Sequence, residues 1–135
     1  MNSDYYFSAI IACLSALFAW TFGEFNGAFK ILAAMVILDQ FTGLLKAGVK
    51  GSWSSDIGFK GIARKVMIFI LVAIANLIEA ELLGHAEPLR DTVIYFYVIN
   101  EGLSIIENAI EMGAPVPEWL KKRFAAWKDK HSEGK

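Results

Sequence analysis

The chain has 135 residues, room for one ordinary domain. Hydrophobic residues make up 56% of it and the mean hydropathy is +0.44, above the roughly 45–50% apolar share of soluble domains. Thirteen basic residues against fourteen acidic ones leave a net charge of −1, so no overall basic excess points to nucleic acid.

Tyr5–Phe22 is 18 residues without a charge, about 27 Å of helix and close to the thickness of a bilayer core. Met1–Asp4 contains no Lys or Arg, so this run is expected to be a span rather than a signal peptide. Small residues recur at Ala12, Ala16, Ala19 and Gly23. That spacing makes them candidates for close helix packing, as does Gly43 in the next run. The single cysteine, Cys13, lies in this stretch and is expected to be a packing residue. It makes no internal disulfide.

A turn follows at Gly23–Gly27, then a second run, Ile31–Leu45, with one acid, Asp39. Lys30 and Lys46 can extend it by snorkelling. Residues 46–65 hold four glycines, three serines and five basic residues, the composition of a connecting loop. Val66–Leu83 is the third run, with Arg64 and Lys65 as its basic flank. Residues 84–91 form a short connection, and Asp91 or Thr92 is placed to cap the next helix. That fourth run is Thr92–Met112, stopped by Gly113, Pro115 and Pro117.

The final segment is a basic amphipathic helix. Leu120, Phe124 and Trp127 share one face, while Lys121, Lys122, Arg123 and Lys128 lie elsewhere. Such a helix suits an anionic lipid surface, with Trp127 at the interface. No strand-like alternation and no internal repeat is present. The expected fold is therefore all-α: a helical membrane bundle, 1–113, with spans near 5–22, 28–46, 66–83 and 92–112, and a basic tail, 114–135. Four spans place loop 46–65 and the tail on one side with eleven of the thirteen positive charges. The positive-inside rule makes that side the cytoplasm, so both termini are expected inside.

The fourth run is costly in lipid. Its eleven clearly apolar residues each contribute about 0.3–0.6 kcal/mol toward insertion, whereas each ionised carboxylate near the centre costs about 2.5–3.5 kcal/mol. Its polar groups are ordered rather than scattered. Asn100, Ser104, Glu107 and Glu111 form a stripe at helical spacing, bordered by Glu101 and Asn108. A second stripe, Phe96, Ile99, Leu103, Ile106 and Ile110, is apolar. The polar stripe has three possible homes: the inside of the protomer's bundle, a seam between subunits, or the wall of an aqueous lesion. With Asp39 it supplies the candidate pore-lining or seam residues. No Lys or Arg lies within a predicted span core, so these acids are expected to use Asn, Ser, water or a proton.

No G-x-S-x-G, no HExxH and no phosphate-cradling glycine loop is present. His85 and His131 have no partners at metal-ligand spacing. The chain is read as a non-enzyme without metal or cofactor.

Several linked motifs resemble the toxin-secretion/phage-lysis holin family over residues 35–120. They are Asp39 with Thr42, Gly43 and Lys46; Gly58, Gly61 and Lys65 after the Ser/Gly-rich stretch; and Asn100, Glu101, Ser104, Glu107 and Asn108, followed by Gly113 and Pro117. The resemblance implies a small multi-pass protein of the bacterial cytoplasmic membrane. It would form homo-oligomers and open lesions that release a cytoplasmic endolysin or a toxin as passenger. A small-ion channel or transporter, and an antiholin-type regulator that binds a holin without opening anything, are the alternatives.

Overall fold

The structure, a computed structural model, describes residues 2–52 and 54–132, and of residues 2, 57, 128, 131 and 132 the backbone only. Five helices follow one another: α1 (Asn2–Phe22), α2 (Gly27–Val49), α3 (Ser55–Glu81), α4 (Leu89–Glu111) and α5 (Glu118–Ser132). Among the described residues there is no strand. Three helices are long and apolar enough to cross a membrane, over Ser3–Phe22, Gly27–Val49 and Gly58–Glu81. The fourth, α4, equals them in length at 23 residues but is more polar.

Two local expectations are corrected. Residues 46–65 are mostly helical, because α2 runs on to Val49 and α3 already starts at Ser55. Gly58 and Gly61 are poor helix formers, yet they sit inside α3. Packing overrides that propensity at Gly61, where a Cβ would come within 2.9 Å of the Gln40 side chain on α2. The second correction concerns the start of α4. Neither Asp91 nor Thr92 caps it; the helix begins earlier, at Leu89. Its free N–H at Arg90 donates to Glu79 Oε2 of α3 at 2.7 Å, so the cap comes from a neighbouring helix.

The bundle is organised around α4, which packs along both α2 and α3. Its apolar core joins Phe29, Leu32 and Val36 of α2, Ile68 and Val72 of α3, and Ile94 of α4. Those α2 positions follow i, i+3, i+7, the inward face of a helix. One end of this core is closed by Arg90, only 5% exposed. Its Nε donates to Phe22 O and its Nη2 to Glu24 O, each at 2.6 Å. Asn76 Nδ2 donates to Trp20 O at 2.9 Å and to Thr21 O at 3.1 Å. A cation and an amide thus satisfy carbonyls at the C-terminal end of α1, where the helix leaves acceptors unpaired and the macrodipole is negative. Gly23 is required there: its φ is +76°, and a Cβ would meet Asn76 Oδ1 at 2.5 Å.

Apart from that end, α1 is bare. Residues 3–20 are all exposed within the protomer, Cys13 included, so the expected packing role of Cys13 finds no partner inside the described chain. The helix α5 is likewise without extensive packing on the other helices.

Arg90→Ala strips the donors from Phe22 O and Glu24 O while leaving α1 apolar. An orphaned acceptor that water cannot reach costs about 1–3 kcal/mol, and these two are part-buried, so the purified protein in detergent is expected to melt at a lower temperature. Arg90→Lys should recover little, because one ammonium cannot reproduce the forked contact. An unchanged melting temperature in Arg90→Ala contradicts this role.

Candidate functional site

Along each inward helix face the apolar core gives way to charge at one level. On α2 the face that carries Phe29, Leu32 and Val36 continues to Asp39, which is buried. On α4 the face that carries Ile94 continues to Glu101 and Asn108, both buried. On α3, Lys65 stands one turn before Ile68 and Val72. Asp39 lies 12 residues into α2 and Glu101 12 residues into α4, about 18 Å from the helix starts and near mid-bilayer if the helices cross.

Lys65 Nζ donates to both Asp39 Oδ2 and Glu101 Oε2, bridging three helices with one ammonium. The Lys65 side chain is 15% exposed, those of Asp39 and Glu101 11% and 9%. Asn108 Nδ2 completes the cluster by donating to Asp39 Oδ1 at 3.2 Å and to Thr42 Oγ1 at 3.1 Å. The Thr42 hydroxyl in turn donates to Asp39 O at 3.1 Å. Gly43 brings the α2 backbone close to α4: a Cβ there would touch Asn108 Nδ2 at 3.8 Å. Among the described residues no buried side-chain nitrogen or oxygen lacks a partner.

The acids were expected to rely on amides, water or a proton. Lys65 replaces that expectation. The boundary placed at Val66 had assigned Lys65 to a loop flank, whereas α3 begins ten residues earlier and carries it inside. The signal was present in the spacing: Lys65, Ile68, Val72 and Asn76 share one helical face, and three of them are buried. Arg90 and Asn76 were likewise not foreseen as bundle contacts.

The other candidates separate by position. Asn100, Ser104 and Glu107 line a cleft of about 600 Å³ between α2, α3 and α4, with Lys65, Asp39 and Glu101 in its wall. Glu101 and Asn108, expected at the border of the polar stripe, are its most buried members. Glu111 lies farther along, pairing with Lys50 and, at 3.8 Å, with Lys46. Ala12, Ala16 and Ala19 are exposed on α1, and Gly23 is tucked under Arg90 and Asn76. On α5, Lys122 and Arg123 are exposed and Lys121 bonds Glu118 at 2.8 Å. Trp127 stacks near Phe124 with ring centres 5.9 Å apart. The Lys128 side chain lies outside the described residues.

The model of the bacteriophage holin family matches residues 16–129. This chain belongs to the bacteriophage holin family. A Bacillus phage phi105 protein named "Probable holin" is 31% identical over 106 residues, 78% of this chain and 77% of that one. An uncharacterised protein of Listeria monocytogenes is 45% identical over 118 residues, covering 87% and 84% of the two chains. One of Clostridium perfringens is 32% identical over 122 residues, 90% of each. No solved structure matches. Family and helices together make this a membrane protein.

Lys65→Met leaves two buried carboxylates around an apolar side chain, a change that costs about 3–5 kcal/mol when one partner of a buried pair is removed. The detergent-solubilised variant is expected to unfold at a markedly lower temperature. The triple variant Lys65→Met, Asp39→Asn, Glu101→Gln should regain most of the loss, since no unpaired charge remains. Equal melting temperatures for Lys65→Met and the parent would contradict the bridge.

Proposed function

We propose that this chain is a holin that crosses the bacterial cytoplasmic membrane four times with both termini inside. Copies gather in the membrane and open lesions through which a cytoplasmic endolysin, or a toxin, escapes. The chain itself does no chemistry. The observation that carries this reading is the polar face of α4: a membrane-length helix whose buried charge, Glu101, is paired inside its own bundle.

Packing supports four spans. α4 lies along α2 and α3, and a helix seated along two membrane-crossing neighbours crosses with them. Charge supports the orientation: even with Lys65 inside the bundle, residues 46–64 and the tail hold ten of the thirteen positive residues. The exposed basic face of α5, with Lys121, Lys122, Arg123 and Trp127, suits anionic lipid on the inner surface.

The energetics suit a protein with two states. In the closed protomer the ion pair offsets the desolvation of its members, but a buried pair is near neutral in net stability. When copies assemble and the bundle opens, those same groups become fully hydrated. The polar face can then exchange Lys65 and Asn108 for water at little net cost, which is what a bistable element requires. α1, bare within the protomer and carrying Ala12, Ala16 and Ala19, offers a surface for close approach of another copy.

A small-ion channel is the second reading, favoured by the mid-bundle acids Asp39 and Glu101. Escape of a folded cytoplasmic enzyme separates the two. Induced expression beside a cytoplasmic endolysin should depolarise the cells and then lyse them abruptly. Depolarisation without lysis would favour the channel, and neither event would defeat the holin reading. Within that assay Glu107→Leu and Asn100→Leu, which ease insertion of α4, should each shift or abolish the onset of lysis. Unchanged onset in both removes this face of α4 from the mechanism.

A further inference from the structure

The cleft between α2, α3 and α4 has two unlike surroundings. Its wall carries Asn100, Ser104 and Glu107 of α4, with Arg64 of α3 facing them across the gap. The triad of Lys65, Asp39 and Glu101 lies in its middle, and toward the apolar core the lining continues to Ile68, Leu71 and Tyr97. At the opposite end stand Lys46 and Gly58, near the ends of α2 and α3 that face loop 46–65. A Cβ on Gly58 would meet nothing within 4 Å, so no side chain packs on that glycine.

On the other side of the α2–α3 contact lies a separate groove of about 390 Å³, walled by Val36, Ile37, Phe41, Ile62, Val66 and Phe69. Gln40 and Lys65 border both spaces. The surface of the second groove is wholly apolar, whereas the first mixes apolar residues such as Leu44 and Leu71 with the polar face of α4. Hydrocarbon filling the polar cleft would leave the Asn100 amide, the Ser104 hydroxyl and the Arg64 guanidinium without hydrogen-bond partners, each at a cost of several kcal/mol. No hydrogen bond within the described residues ties these three groups down. A polar space of this size holds on the order of 20 water molecules at liquid density.

We propose that each single protomer contains an aqueous half-channel that enters from the cytoplasmic ends of α2 and α3, reaches the Lys65 triad and stops against the apolar residues just past it, Ile68, Leu71 and Tyr97. It admits water and small hydrated cations before any lesion forms. The apolar core from Leu32 to Ile94 seals the outer half. The proposal rests on the holin reading for its membrane setting and orientation. It goes beyond that reading because the wet space belongs to the unassembled, non-lytic protein.

The test uses full-length chains with Cys13→Ala and one introduced cysteine, in membranes taken before lysis. A membrane-impermeant cationic methanethiosulfonate reagent is added either to inverted vesicles, reaching the cytoplasmic face, or to cells with a permeable wall, reaching the outer face. Ser104→Cys and Asn100→Cys should react from the cytoplasmic face at least about tenfold faster than Ile99→Cys on the lipid side, because the thiolate forms only where water is present. Neither should react from outside. Labelling of Ser104→Cys as slow as that of Ile99→Cys overturns the half-channel, and labelling from both faces overturns the blind end. Each variant's lysis with endolysin is scored in parallel. Loss of the half-channel with lysis intact is therefore distinguishable from failure of the holin reading.

Discussion

A charge in hydrocarbon must be answered by another charge or by water, and in this protein Lys65 gives the answer. Its ammonium holds Asp39 of α2 and Glu101 of α4 at once. Without it, α2 and α4 would each leave a carboxylate unanswered in an environment that penalises each by several kcal/mol. The inward faces of all three helices follow from this point. On one side lies the apolar core of Leu32, Val72 and Ile94; on the other lies the polar cleft. At the far end of the core Arg90 and Asn76 repeat the logic on a smaller scale, satisfying backbone carbonyls instead of acids.

Much of this was legible in the residues. Uncharged length gave α1, and amphipathic spacing gave α4 and α5. The polar residues of α4 were found, but their ranking was not. Helical spacing alone put Asn100, Ser104, Glu107 and Glu111 on the central line, because four members outnumber two. Burial instead follows Ile94, Glu101 and Asn108, the line that continues the apolar core. Hydropathy windows look for uninterrupted runs, and they cut α3 at Val66 because glycines and lysines precede it. Those glycines are helical because α3 leans on α2 at Gly61, a tertiary contact no local rule contains. The same cut hid Lys65, which had been counted among the residues of the orienting loop.

On the holin reading proposed above, one sequence must serve an inserted, harmless state and an assembled one. Internal pairing makes α4 tolerable beside lipid, so the protein can accumulate. Pairs of this kind add little net stability, because desolvation nearly cancels attraction. On that reading, assembly that opens the triad fully to water frees this polar face without a large penalty. The two helices least used by the bundle, α1 and α5, are the ones free to meet other copies and the lipid surface. Membership of the bacteriophage holin family fits a chain built in this way.

The central claim is that α4 enters the membrane only because α2 and α3 answer its charges. Insertion of segment 89–111 can be measured by placing a topology reporter after Gly113, once in the full chain and once with the segment alone behind a neutral leader. The account predicts a cytoplasmic reporter with α4 crossing in the full chain, and little crossing by the isolated segment. Equal, efficient insertion of the isolated segment would contradict it.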